Sequence, residues 1–309
     1  MTVELRAPTL DDLEQLTDLI NRDGLELYGM EEESIESMRL WLTGPALDPE
    51  TDIRVAVVDG TFRGYVDLDP DPEPTYWADL RVPLSEDDDV RSSLMDWAEH
   101  RADERANGRA GARLRFFASS IDEPMKTMLS TRGYRQIRNF YRMRIELTDD
   151  VAEPEWPSGV SVRAATPDDA EAAYEAHQES FEDSWEHNRM PLDEWRHWLT
   201  PADFDPTLWF LAEEGPEAAA VAICCEHEAE AGLGWVRVLG VRRPWRRRGL
   251  GRAMLLHAFG EFRRRGFHAA ALGVDATSLT GANRLYESVG MTVVRRSHVY
   301  EQELSGGSV

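Results

Sequence analysis

Two stretches of this chain repeat one another at a fixed distance, and that repeat restricts the fold more than any single motif. Val3-Glu4-Leu5-Arg6-Ala7-Pro8-Thr9-Leu10-Asp11-Asp12 is echoed by Val160-Ser161-Val162-Arg163-Ala164-Ala165-Thr166-Pro167-Asp168-Asp169, an offset of 157. Each is a short alternating strand followed by a Thr-x-Asp-Asp helix start. The far ends keep the offset: Gly133-Tyr134 corresponds to Gly290-Met291, and Arg144-Ile145-Glu146-Leu147 to Glu301-Gln302-Glu303-Leu304. A period that holds at both ends implies two copies of one domain. We place them at 1–148 and 159–309. The linker at 149–158 is acidic and carries Pro154 and Pro157, so it cannot extend a helix.

Hydrophobic periodicity gives the copies one element order. In the first we expect a strand at 3–8, helices at 11–21 and 31–43, and strands at 52–58, 62–68 and 76–82. A helix at 89–106, a strand at 112–118, a helix at 122–131 and a strand pair at 134–139 and 140–147 complete it. The second copy runs strand 160–164, helices 168–180 and 191–199, then strands 207–213, 218–227 and 234–241. Helix 249–265, strand 268–274, helix 280–288 and strands 291–295 and 298–304 follow. The class is α/β: two tandem domains, each a mixed, mostly antiparallel sheet with helices on both faces.

Charge narrows the partners. With 34 Lys and Arg against 58 Asp and Glu, the formal charge is −24, which argues against nucleic acid and favours a cationic small molecule or amine. No apolar run approaches the ~20 residues that span a bilayer, and the start Met1-Thr2-Val3-Glu4-Leu5 has no signal-peptide pattern, so we expect a cytoplasmic chain without membrane contact. Cys224 and Cys225 are adjacent and offer neither a disulfide framework nor metal-ligand spacing, so no metal is expected.

One segment reverses the charge. Arg242-Arg243-Pro244-Trp245-Arg246-Arg247-Arg248-Gly249-Leu250-Gly251-Arg252 joins an apolar strand to a helix-patterned stretch. Arg246-x-x-Gly249-x-Gly251 puts two residues without Cβ at a helix start, where unpaired N–H groups and the helix dipole favour a phosphate or pyrophosphate. It is not a Walker loop, which ends Gly-Lys-Ser/Thr, nor a dinucleotide fingerprint, because Met254 stands at the third glycine position.

The spacing resembles the acetyl-CoA pyrophosphate loop of the GNAT superfamily of N-acetyltransferases, (Arg/Gln)-x-x-Gly-x-(Gly/Ala). Ala282-Asn283-Arg284-Leu285-Tyr286-Glu287-Ser288-Val289-Gly290-Met291 resembles the family's second signature, Ala-x-x-Leu-Tyr-x-x-x-Gly-(Phe/Met), and the element order is also the family's. The resemblance implies an acyl-CoA-dependent N-acetyltransferase that moves acetyl from acetyl-CoA directly to a primary amine of a small molecule. Peptide or protein N-terminal acetylation, or a non-catalytic acyl-CoA sensor or scaffold, are the alternatives. It also implies that the backbone of Leu239, Gly240 and Val241 holds the acyl-CoA. Arg246, Arg247, Arg248, Gly249, Leu250, Gly251, Arg252 and Ser278 are the other cofactor contacts, and Tyr286 is the acid for the departing thiolate. Many relatives carry a Glu base where this chain has Trp235. Glu226 is our replacement, with His227, Glu228, Glu182 and Asp183 behind it. Phe181, Asp183 and Trp185 form the expected acceptor pocket for a cationic amine, unless Phe181 and Trp185 are an i, i+4 core pair. A monomer or homodimer fits.

The offset supplies a control. Arg246, Gly249, Gly251 and Tyr286 correspond to Asp89, Ser92, Leu94 and Leu129. Acidic side chains repel pyrophosphate and Leu94 blocks backbone approach, so the first copy is expected to be degenerate.

Overall fold

The computed structural model describes residues 2–44, 48–69, 74–148, 151–186, 189–192, 195, 205–227, 230–277 and 281–304. The chain forms two compact units, one of Met1–Phe140 with Arg295–Val309 and one of Tyr141–Val294. The elements are β1 (Glu4–Arg6), α1 (Leu13–Tyr28), α2 (Ile35–Thr43), α3 (Pro49–Asp52), β2 (Ile53–Val58), β3 (Thr61–Asp69), β4 (Thr75–Arg81), α4 (Asp88–Ala106), β5 (Arg113–Ser119) and α5 (Glu123–Thr131). There follow β6 (Arg135–Glu146), β7 (Val160–Ala164), α6 (Ala170–Phe181), β8 (Trp209–Glu214), β9 (Glu217–Glu226), β10 (Leu233–Val241), α7 (Leu250–Arg264), β11 (Ala269–Asp275), α8 (Ala282–Ser288) and β12 (Thr292–Glu303). The helix expected at 191–199 falls almost wholly outside the described residues.

The repeated Thr-x-Asp-Asp signal forms the same capping box in both copies. Thr9 N–H donates to Asp12 at 2.8 Å and Thr166 N–H to Asp169 at 2.7 Å. The strand order is β1-β2-β3-β4-β5 and then β12 from Arg295 onward in the first unit, and β6 from Tyr141 onward followed by β11-β10-β9-β8-β7 in the second. β4–β5 and β10–β11 pair in parallel, whereas β1–β2, β2–β3, β3–β4, β5–β12, β7–β8, β8–β9 and β9–β10 pair antiparallel. Strand alternation feeds two apolar layers in each unit. In the second, Trp209, Leu211, Val221 and Ile223 pack with α6, while Phe210, Ala212, Ala220 and Ala222 pack with α7 and α8.

Two sequence expectations change. Each closing strand pair is one continuous strand, β6 or β12. Arg138-Asn139-Phe140-Tyr141 and Arg295-Arg296-Ser297-His298 contain no glycine, which a tight hairpin turn favours. The division at 148 and 159 is redrawn by strand pairing, because the chain's last strand pairs β5 from Ser297↔Ser119 to Glu303↔Arg113. The expected linker packs onto the second unit's core through Val151 and Trp156, the latter with its ring 5.7 Å from His257 on α7.

Candidate active site

The second unit's sheet is pried open at one place. β10 and β11 pair in parallel as far as Trp235↔Ala271, and then residues 236–241 and 272–275 run on without that pairing. On its other side β10 stays with β9, but the register slips between Val236↔Cys224 and Val238↔Ile223, leaving Arg237 as the extra residue of a bulge. The bulge swaps faces: Val236 packs with α7 and α8, whereas Val238 packs with α6. Past it, Arg242 N–H donates to Ala219 of β9 at 3.0 Å and Gly240 pairs Val221. Alternation therefore turns the N–H groups of Leu239 and Val241 to the open edge.

Gly240 has a different use from its neighbours. A Cβ there would lie 2.8 Å from Ser180 Cβ, so the glycine lets α6 close directly on β10.

The loop after β10 is a built turn. Trp245 is buried beneath it, donates from Nε1 to Glu214 at 2.8 Å, and carries Arg242 over its ring at 5.0 Å. Arg247 and Gly249 both take left-handed backbone, φ 60° and 85°, which Gly249 adopts without strain and Arg247 does not. Gly249 caps α7, whose first ladder bond is Ala253 N–H to Gly249 O. The amides of Leu250, Gly251 and Arg252 precede that ladder and carry the dipole's positive end. Gly251 lets α8 pack close against this turn, since a Cβ would stand 3.2 Å from Leu285.

The arginines divide into two groups. Arg248 donates to Glu214 at 2.6 Å, and Arg248 with Trp245 holds that carboxylate below its usual range. Arg242 pairs Glu179, while Arg243 and Arg246 share Asp183. Among the described residues, Arg247 and Arg252 have no ion pair or hydrogen bond from their side chains. Tyr286 on α8 is 8% exposed, and its hydroxyl has no hydrogen-bond partner among the described residues. Burial pushes its phenol up to about 12.

Known proteins resemble this chain in sequence and in fold. The family model described as "Acetyltransferase (GNAT) family" covers residues 170–291. The mycothiol acetyltransferase of Kineococcus radiotolerans is 32% identical over 76% of this chain and 76% of its own. The chain belongs to the GNAT family of acetyltransferases. The mycothiol acetyltransferase of Thermobispora bispora is 34% identical, though the match spans 52% of this chain and just over half, 56%, of that relative. A GCN5-related N-acetyltransferase from Sphaerobacter thermophilus has a TM-score of 0.85 at 29% identity, covering 98% of this chain and 96% of its own.

Within this GNAT scaffold the expected site residues separate. Leu239, Val241, Arg247, Gly249, Gly251, Arg252 and Tyr286 belong to the open edge, the turn at its end and the cluster beneath; Leu250 contributes its amide while its side chain is buried. Arg246, Arg248 and Gly240 hold the loop's surroundings instead. Ser278 and Glu228 lie outside the described residues. Glu226 closes the hairpin by accepting from Gly232 N–H at 2.7 Å, and Trp235 is held by Arg142 over its ring at 5.0 Å and His227 at 5.5 Å. Asp183 is lowered to about 2, chiefly by Arg243 and then Arg246, so its charge is already matched. α6 ends at Phe181, so Phe181 and Trp185 do not share a helix face. Phe181 leans on His177 at 4.9 Å. Glu179, Glu214 and Trp245 also support the loop, and their one mark in the sequence is a tryptophan set among arginines.

Proposed function

We propose that this chain transfers an acetyl group from acetyl-CoA directly to the primary amine of a small molecule. The observation that carries the reading is the open β10 edge ending in a left-handed, arginine-bearing turn at the start of α7. A pantetheine arm along that edge meets the N–H groups of Leu239 and Val241. Its pyrophosphate meets the first amides of α7, with Arg247 and Arg252 beside it. The amine attacks the thioester carbonyl; a C–N bond forms, the C–S bond breaks and a thiolate leaves. Tyr286 stays protonated well above neutral pH and gives its proton to that thiolate, and the ammonium formed by attack returns one through solvent. The relatives named mycothiol acetyltransferase make that acceptor the first to try.

Calorimetric titration with acetyl-CoA, followed by coenzyme A release across a panel of amines, tests this. Binding at one site per chain and amine-dependent release are expected. Binding without release for any amine would remove the enzyme reading, and no binding would remove the cofactor reading too.

A further inference from the structure

Arg246 opens the glycine-loop motif, yet each of its three guanidinium nitrogens is used inside the protein. Nε donates to Val241 O at 3.0 Å, Nη1 to Asp183 Oδ2 at 2.7 Å and Nη2 to Ser180 O at 3.1 Å. Its neighbours act on the same turn: Arg242 Nε donates to Glu179 Oε2 at 2.5 Å, and Arg243 Nη2 to Asp183 Oδ1 at 2.6 Å. Ser180, whose carbonyl Arg246 holds, is also the residue that Gly240 admits against β10. One planar fork thus joins the last turn of α6, the Asp183 carboxylate and the end of β10. A guanidinium committed to three protein acceptors presents its fork to them and not to a phosphate.

We propose that Arg246 is a positioning residue, which fixes the end of α6 and the following turn, with Phe181 and Trp185, against the cofactor edge. Asp183 is its counter-ion and not the amine's. The phosphate contacts fall to Arg247 and Arg252, which rests on the acetyl-CoA reading above, whereas the latch itself does not.

Hydrogen exchange of the free protein and acetyl-CoA titration separate the roles. Arg246→Met is expected to speed amide exchange in peptides covering 180–186 by about tenfold or more while leaving the acetyl-CoA Kd within about twofold. Arg247→Met does the reverse, raising Kd about tenfold with exchange unchanged. Arg246→Lys keeps the charge but not the three-point fork, so it does not restore protection. Restored protection in Arg246→Lys overturns the latch, as does an Arg246→Met protein that loses acetyl-CoA affinity with its exchange unmoved. If Gly249→Glu binds acetyl-CoA as well as the parent, the cofactor reading fails, and the exchange comparison still decides the latch.

Discussion

In the second copy β10 parts from β11 after Trp235 and carries an extra residue at Arg237; in the first, β4 parts from β5 after Ala78 but keeps an unbroken register with β3 from Asp69↔Trp77 to Tyr65↔Arg81. The opening survives in both, whereas the bulge belongs to one. What lies along the opening also differs. By strand register Ile223, Val238 and Gly240 hold the places of Asp67, Asp79 and Arg81, and Ser180 that of Asp23. Arg81 bonds Glu32 at 2.7 Å and Asp79 at 2.9 Å, Arg295 pairs Glu32 and covers the Tyr28 ring, and Asp67 accepts from Tyr65 at 2.7 Å. Arg91, 1% exposed, donates to Val82 O at 3.1 Å, the carbonyl that by the same register corresponds to that of Val241. The first copy keeps the cleft's frame and fills it with its own charges.

The widest separation between the copies is expected at the glycine turn. Gly249→Glu forces a side chain into left-handed backbone and sets a carboxylate at the dipole's positive end, so acetyl-CoA affinity should fall by more than about 100-fold in calorimetry. Asp89→Arg, 157 residues before Arg246 in sequence but inside the first turn of α4, should create no second site. Two acetyl-CoA per chain would break the comparison.

Next is Tyr286→Phe, whose counterpart is Leu129. Turnover should drop by about 10²-fold or more with the acetyl-CoA Kd unchanged. Because burial raises the phenol to about 12, the parent's turnover should survive alkaline pH past the ordinary tyrosine range near 10. An alkaline loss centred at pH 10 would contradict that acid.

A smaller effect tests the filled cleft. Arg91→Met should cost about 1.5–3 kcal/mol in denaturant unfolding, the range for hydrogen bonds to a charged group, with coenzyme A release unaltered. Release that changes with stability would mean the first copy takes part in the reaction.

The smallest concerns Asp23, which burial raises from 3.8 to about 7. The folded state holds that proton where the unfolded chain has lost it, so this group's contribution to stability declines as pH rises from about 4 to 7 and stays low above. Asp23→Asn should gain on the order of 1 kcal/mol at pH 8 and almost nothing near pH 4. Equal gains at both would show that its charge is not the cause.

The repeat, the element order and the glycine loop were legible because each is written in local pattern: strand alternation, Thr-x-Asp-Asp starts, and glycine where φ is positive. The roles of the loop arginines were not. Arg246, Arg247 and Arg248 are consecutive and chemically identical, and only packing reveals that Asp183 and Glu214 occupy two of them while Arg247 stands clear. The partners of Asp183 are hidden for the same reason, since Arg243 and Arg246 lie some 60 residues away in sequence. The bulge left no mark at Arg237, as slippage depends on both partner strands. The continuous β6 and β12 were obscured by polar residues at mid-strand.

The pairing of β12 with β5 bears on how this chain is made. The first unit lacks its sixth strand until the ribosome has delivered residues 295–303, and the second has by then been synthesised in full. Contacts between ends so distant in sequence close slowly. The earlier-made half is therefore the later to be completed, and a nascent chain cut short before residue 295 carries a whole glycine-loop unit alongside an amino-terminal half with an uncovered β5 edge, the kind of edge that recruits other strands.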